Sequence, residues 1–157
     1  MRKYILMPVY NTLGFISGEE SVIISTVRPS MRNPFTMYLY QTPPRYGDWN
    51  DRDGRIICSA RCDKVEEIRT KYTLNDIPGL NIPIQDEYTN KSPKGYCRVS
   101  RWQIAVWVNN GIRLYAWHIS DIKELKPYKN IQDFRKIQKD GLLIPFDRIT
   151  GPFMYVG

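Results

Sequence analysis

The clearest regularity along this chain is an alternation of apolar and polar side chains, the period-two mark of half-buried strands. Phe35, Met37 and Leu39 alternate with Thr36, Tyr38 and Tyr40, which predicts a strand over Phe35–Gln41. Tyr4–Leu6 reads as a first short strand. The β-branched run Ser21–Val27 reads as a buried strand that Arg28-Pro29 ends. Arg55–Arg61 predicts another, running on through Val65 to Ile68. In Arg113–Asp121, residues Leu114, Ala116, His118 and Ser120 fall on one side of an extended chain, with Tyr115, Trp117, Ile119 and Asp121 on the other. Neither side is cleanly apolar, and a strand mixed on both faces suits a small barrel with a binding mouth better than an open sheet. Leu142–Phe146 and Phe153–Val156 read as extended pieces that close the sheet.

Helical signals are fewer. Pro8 sits where a helix can begin, and Val9, Leu13 and Phe15-Ile16 supply an apolar face up to Gly18. Ser100 and Gln103 have capping-box spacing ahead of Trp102, Ala105 and Val106, and Asn109-Asn110-Gly111 closes that helix. Asn130 caps a short helix through about Ile137. Pro43, Pro44 and Gly47 make residues 42–54 a loop carrying exposed aromatic and basic side chains, and residues 71–98, with Pro78, Pro83 and Pro93, read as an irregular insertion or lid. Three alanines against eighteen isoleucines argue against an all-helical protein. The expected fold is therefore α+β: a small β-barrel of five to seven strands with two or three short helices, in one domain over residues 1–157.

Composition narrows the class without naming a function. Hydrophobic residues at 42% and charged residues at 25% are those of an ordinary soluble protein, and no apolar run approaches the roughly 20 residues that span a bilayer. The apolar run after Arg2-Lys3 is broken at Pro8 and Asn11, so a signal-peptide core is missing and the expected location is cytoplasmic. The odd set Cys58, Cys62 and Cys97 then reads as reduced, buried thiols. The net charge of +7 favours phosphate-bearing partners, although it is spread along the chain rather than gathered in one basic arm.

Candidate chemistry is sparse. His118 is the single histidine, and Asp121, three residues along the same strand, points to the opposite face, so a nucleophile-histidine-acid triad is poorly supported. One histidine with scattered carboxylates gives no metal-ligand spacing, and no glycine-rich phosphate loop occurs. No metal or cofactor is expected. His118 reads either as a structural donor or as a ligand contact, and Tyr115 and Trp117 either as core or as a surface on which a base stacks.

These residues carry a resemblance to a family. Pro8, Tyr10, Phe15-Ile16, Gly18 and the strand ending Arg28-Pro29 resemble the N-terminal pattern of ASCH domains of the PUA-like superfamily, in particular a short group common in phages and prophages. Tyr38-Leu39-Tyr40 and Gly54–Ile57 are similar to two of that group's strands. The most specific match is Leu114–Asp121, Leu-Tyr-Ala-Trp-His-Ile-Ser-Asp, followed by Lys126-Pro127 and Phe134. The group's Gly-x-Lys-x-x-Glu-x-Arg motif is degenerate: Glu20 stands at its Lys, Ile23 at its Glu (Thr in members that hydrolyse acetylated cytidine) and Ser25 at its Arg. A carboxylate inverts the charge of a lysine, and isoleucine transfers no proton.

The resemblance implies a PUA-like barrel and a non-catalytic domain that binds RNA, DNA or a modified nucleotide. Arg28, Tyr40, Trp117 and His118 are then placed around its mouth as stacking and hydrogen-bonding residues. Two other readings stand beside it. One is a phage accessory protein that binds and inhibits a host protein, and the other an amidohydrolase of acetylated cytidine that uses His118. No membrane partner is expected.

Overall fold

A computed structural model describes residues 4–68, 107 and 110–157 of the chain. The expected lid at 71–98 lies outside the described residues, as does the expected helix from Ser100, apart from Trp107 and the turn at Asn110-Gly111. Eight strands form one sheet: β1 (Tyr4–Val9), β2 (Val22–Ser25), β3 (Phe35–Gln41), β4 (Ile56–Ile68), β5 (Leu114–Lys129), β6 (Lys136–Ile137), β7 (Leu143–Ile144) and β8 (Met154–Val156). Their order is β2-β5-β4-β3-β1-β8-β6-β7, and every pairing is antiparallel except β1 with β3.

The sheet is open, which corrects the expected barrel. Closure needs the two end strands to pair. Among the described residues β2 pairs with β5 alone, and the two-residue β7 with β6 alone. The complete helical elements among the described residues are α1 (Leu13–Ile16) and a 3-10 turn at Ile131–Asp133, and Trp107, within the expected helix from Ser100, is helical. Asn130 does cap that turn, donating its backbone N–H to Asp133 Oδ2 at 2.8 Å, but the chain is extended again by Lys136. Pro8 lies inside β1 instead of opening a helix. The antiparallel pairing of β1 with β8 ends at Leu6, so the N–H that Pro8 lacks is not needed on that edge.

Both faces of the central strands are covered, and strand alternation sorts the side chains between them. Ile5, Met7, Phe35, Met37, Leu39, Cys58, Ala60 and Cys62 form one core with Phe15 of α1, Ile23 of β2, and Trp117 and Ile119 of β5. Leu6, Ile56, Ile131, Phe134, Met154 and Val156 form the second, with Tyr4, Tyr38 and Tyr40 packed on it. Tyr38 meets Phe134 at 4.9 Å and Tyr4 edge-on at 5.3 Å between ring centroids. Residues 26–34 cross from β2 to β3 over the first core, where Met31 packs and Ser30 N–H donates to the Tyr155 hydroxyl at 2.9 Å.

Candidate nucleic-acid interface

Strand β5 is the longest among the described residues, and both sides of its first half are buried: Tyr115, Trp117 and Ile119 pack on the first core, while Leu114 and Ala116 are buried on the other side. Trp117 stands opposite Ile23 on one neighbour and Val65 on the other, with its ring fully buried. Phe35 and Phe153 meet it edge-on, with centroids 5.9 and 5.1 Å away. The indole Nε1 is buried with no acceptor among the described residues.

His118 faces the other way. It lies opposite Val22 and Lys64, and its Nε2 is 2.5 Å from Oε1 of Glu66, a diagonal neighbour on β4. The histidine side chain is 15% exposed and the glutamate 35%, so the pair sits half in and half out of water. Glu66 escapes the one-strand view because it is 52 residues away in sequence. The signal was the lone imidazole itself: a half-buried ring nitrogen needs a partner, and the neighbouring strand holds two adjacent glutamates.

Beside this pair β4 is irregular. Its register with β5 shifts between Cys62 and Lys64, so Asp63 is the extra residue of a bulge. Arg61 Nε donates to Asp63 Oδ1 at 2.8 Å, and its Nη2 to Ser120 Oγ at 3.3 Å. The Ser120 hydroxyl is the main cause holding the Asp63 carboxyl below its ordinary pKa; burial opposes it, and the Arg61 guanidinium adds to the lowering. Ser120 is thus engaged by Asp63 and Arg61, and no hydrogen bond joins it to His118 as a nucleophile would require.

Of the other candidates, Arg28 is exposed in the 26–34 crossing. Neither it nor the equally exposed Arg32 has a carboxylate within ion-pair distance among the described residues. Tyr40 packs on the second core, where burial raises the pKa of its phenol. Trp117 and Tyr40 therefore lie on opposite faces of the sheet, and no hydrogen bond, ion pair or ring contact joins any two of the four candidates.

The positions that the sequence resemblance matches to the family motif are filled by interior residues. Ile23 and Ser25 are buried in β2, opposite Trp117 and Tyr115. Glu20 is 1% exposed and rests on Gly14: a Cβ there would lie 2.6 Å from Cδ of the glutamate, so only glycine leaves room. The thiols of Cys58 and Cys62 are each pushed up to about 12, chiefly by burial, which leaves them protonated and unreactive.

No family model matches the sequence, and no curated protein matches it. Solved structures do share the fold. The crystal structure of ASCH from Zymomonas mobilis superposes with a TM-score of 0.52 at 13% identity, covering 90% of this chain and 77% of that one. A tyrosine-to-phenylalanine mutant of the same protein, ZmASCH, gives 0.54 at 14% identity, covering 89% and 78%. The shared property is architecture, and this chain has an ASCH-like fold.

Proposed function

We propose that this chain is a non-catalytic, ASCH-like binding module for a phosphate-bearing ligand of the nucleic-acid class: RNA, DNA or a modified nucleotide. The observation that carries this reading is the 26–34 crossing. Arg28 and Arg32 are exposed there without acidic partners among the described residues, in a stretch with no Asp or Glu from Ser21 through Gly47. Unpaired guanidinium groups on a chain of net charge +7 attract phosphate and match its geometry. Catalysis is disfavoured because Ile23 and Ser25, at the positions matched to the family motif, are interior, the thiols of Cys58 and Cys62 are protonated, and His118 is tied to Glu66. Arg28 is then a phosphate contact, and His118 a candidate contact at the polar face of β5, while Trp117 and Tyr40 support the sheet from its two cores.

Binding of labelled single-stranded RNA and DNA, and of free nucleotides, at two salt concentrations tests this. Measurable affinity at low salt should weaken as salt rises, and Arg28→Ala with Arg32→Ala should flatten the log–log salt slope by about 1.4, two phosphate contacts on a single strand. No affinity for any of these ligands at low salt overturns the proposal.

A further inference from the structure

The connection from β3 to β4 is long for a hairpin, yet it is tied down at several points. Gln41 Oε1 accepts from Thr12 N–H and Oγ1 at 3.1 and 2.7 Å, and Gln41 Nε2 donates to Asp53 Oδ1 at 2.9 Å. The second Asp53 oxygen accepts from Asn50 N–H at 2.8 Å, while Asn50 Oδ1 accepts from the N–H groups of Arg52 and Asp53. Trp49 lies against Gly54, whose φ is +75° and whose added Cβ would come within 2.8 Å of ring carbon Cζ3. Glycine alone permits both that backbone and that contact.

The indole is thus held from one side, and it remains 62% exposed. Tyr46 is 84% exposed in the same loop. Tyr10, at 71%, is brought to the same end of the sheet because Thr42 donates its N–H and Oγ1 to the carbonyl of Val9 at 2.9 and 3.0 Å. Rings this exposed add little to the core, and a fixed one is ready to stack without an ordering cost.

We infer that Trp49, Tyr46 and Tyr10 form a stacking platform for unpaired bases, and that the ligand is a single-stranded oligonucleotide rather than a lone nucleotide. This rests on the nucleic-acid reading above. Charge favours such a strand over a protein partner. The loop with the first residue after it balances Arg45, Arg52 and Arg55 against Asp48, Asp51 and Asp53, and the positive excess comes from Arg28 and Arg32 of the neighbouring crossing on a chain of net charge +7. Distance then sets the ligand's length. The arginine crossing enters β3 at Phe35 and the aromatic loop leaves it at Gln41, so seven extended residues separate them by about 20 Å. A mononucleotide reaches one end, whereas a strand of several nucleotides reaches both, within the roughly 4–16 nucleotides that small β folds occupy.

The test titrates the full chain with a labelled oligouridylate of about 12 nucleotides and with uridine monophosphate. Trp49→Ala should weaken oligonucleotide binding about fivefold or more, the lower end of one stacked base, and Tyr46→Ala should do so to a smaller extent. Both should keep the wild-type salt slope, unlike the Arg28/Arg32 variant, and Trp49→Phe should restore most of the affinity. Unchanged binding in both Trp49→Ala and Tyr46→Ala overturns the platform and leaves the phosphate reading standing. Equal affinity for the monophosphate and the oligonucleotide overturns the length argument, and no binding of either ligand by the wild type overturns the platform, with the nucleic-acid reading falling as well only if single-stranded DNA and the other nucleotides also fail to bind.

Discussion

Trp117 and Trp49 are the same side chain in opposite situations. Trp117 belongs to the segment on which the sequence resemblance to ASCH domains most rests, and it is wholly buried between Phe35 and Phe153. Trp49 sits in a loop with no periodic pattern, and it is more exposed than buried, braced on Gly54. A stretch that stands out in the sequence can therefore do so because it builds the sheet, while an aromatic ring open to solvent is held by a loop fixed by hydrogen bonds.

The comparison is broken most severely by Trp117→Ala. Emptying an aromatic site in the larger core should cost about 3–5 kcal/mol and lower the melting temperature by roughly 10 °C, read by circular dichroism. A loss under about 1 kcal/mol would show that the indole is not a core residue, because surface substitutions fall in that range.

How far the sequence disclosed this arrangement depends on the range of the interaction. Phe35–Gln41 was legible to the residue because its alternation is local and one face is buried. The two sides of β5 were legible from strand alternation alone, with Trp117 and Ile119 on one core and His118 turned away, but not their burial, since Leu114 and Ala116 on the His118 side are buried as well. The strand's continuation to Lys129 was not, since Pro127 speaks against a strand interior. Pairing between distant strands left no local mark, so Glu66, the bulge at Asp63 and the failure of the sheet to close came only with the structure. The expected binding set failed to converge because alternation sent Trp117 and Tyr40 to different faces, a separation that only the strand order reveals. The bracing of Trp49 depends on one backbone angle at Gly54, which a loop composition does not state.

A second, smaller effect sharpens the contrast between the two sides of β5. His118→Ala leaves the Glu66 carboxylate half-buried without its imidazole and should cost about 1–3 kcal/mol. Glu66→Gln should cost less, because the amide oxygen still accepts from Nε2. Combined, the two substitutions should destabilise by less than the sum of the single effects. Strict additivity in urea titrations would show that the pair is not coupled, and the polar face of β5 would then owe nothing to it.

The smallest expected effect concerns the bulge next to that pair. Asp63 has a folded pKa held below its unfolded value by Ser120 and Arg61, so as pH falls the unfolded chain takes up the proton first. Its contribution to stability is therefore complete above the ordinary carboxylate range and is lost as pH falls through the depressed folded value. The side chain is 39% exposed, and solvent screening keeps that contribution below about 1 kcal/mol. Asp63→Asn should accordingly leave the melting temperature near neutrality slightly lowered and make it fall less steeply than in the wild type below about pH 5, through the ordinary carboxylate range and beneath it. An acid limb identical in the two proteins would mean that the Arg61-Asp63-Ser120 cluster holds no charge-dependent stability. The bulge would then serve only to bend β4 beside His118.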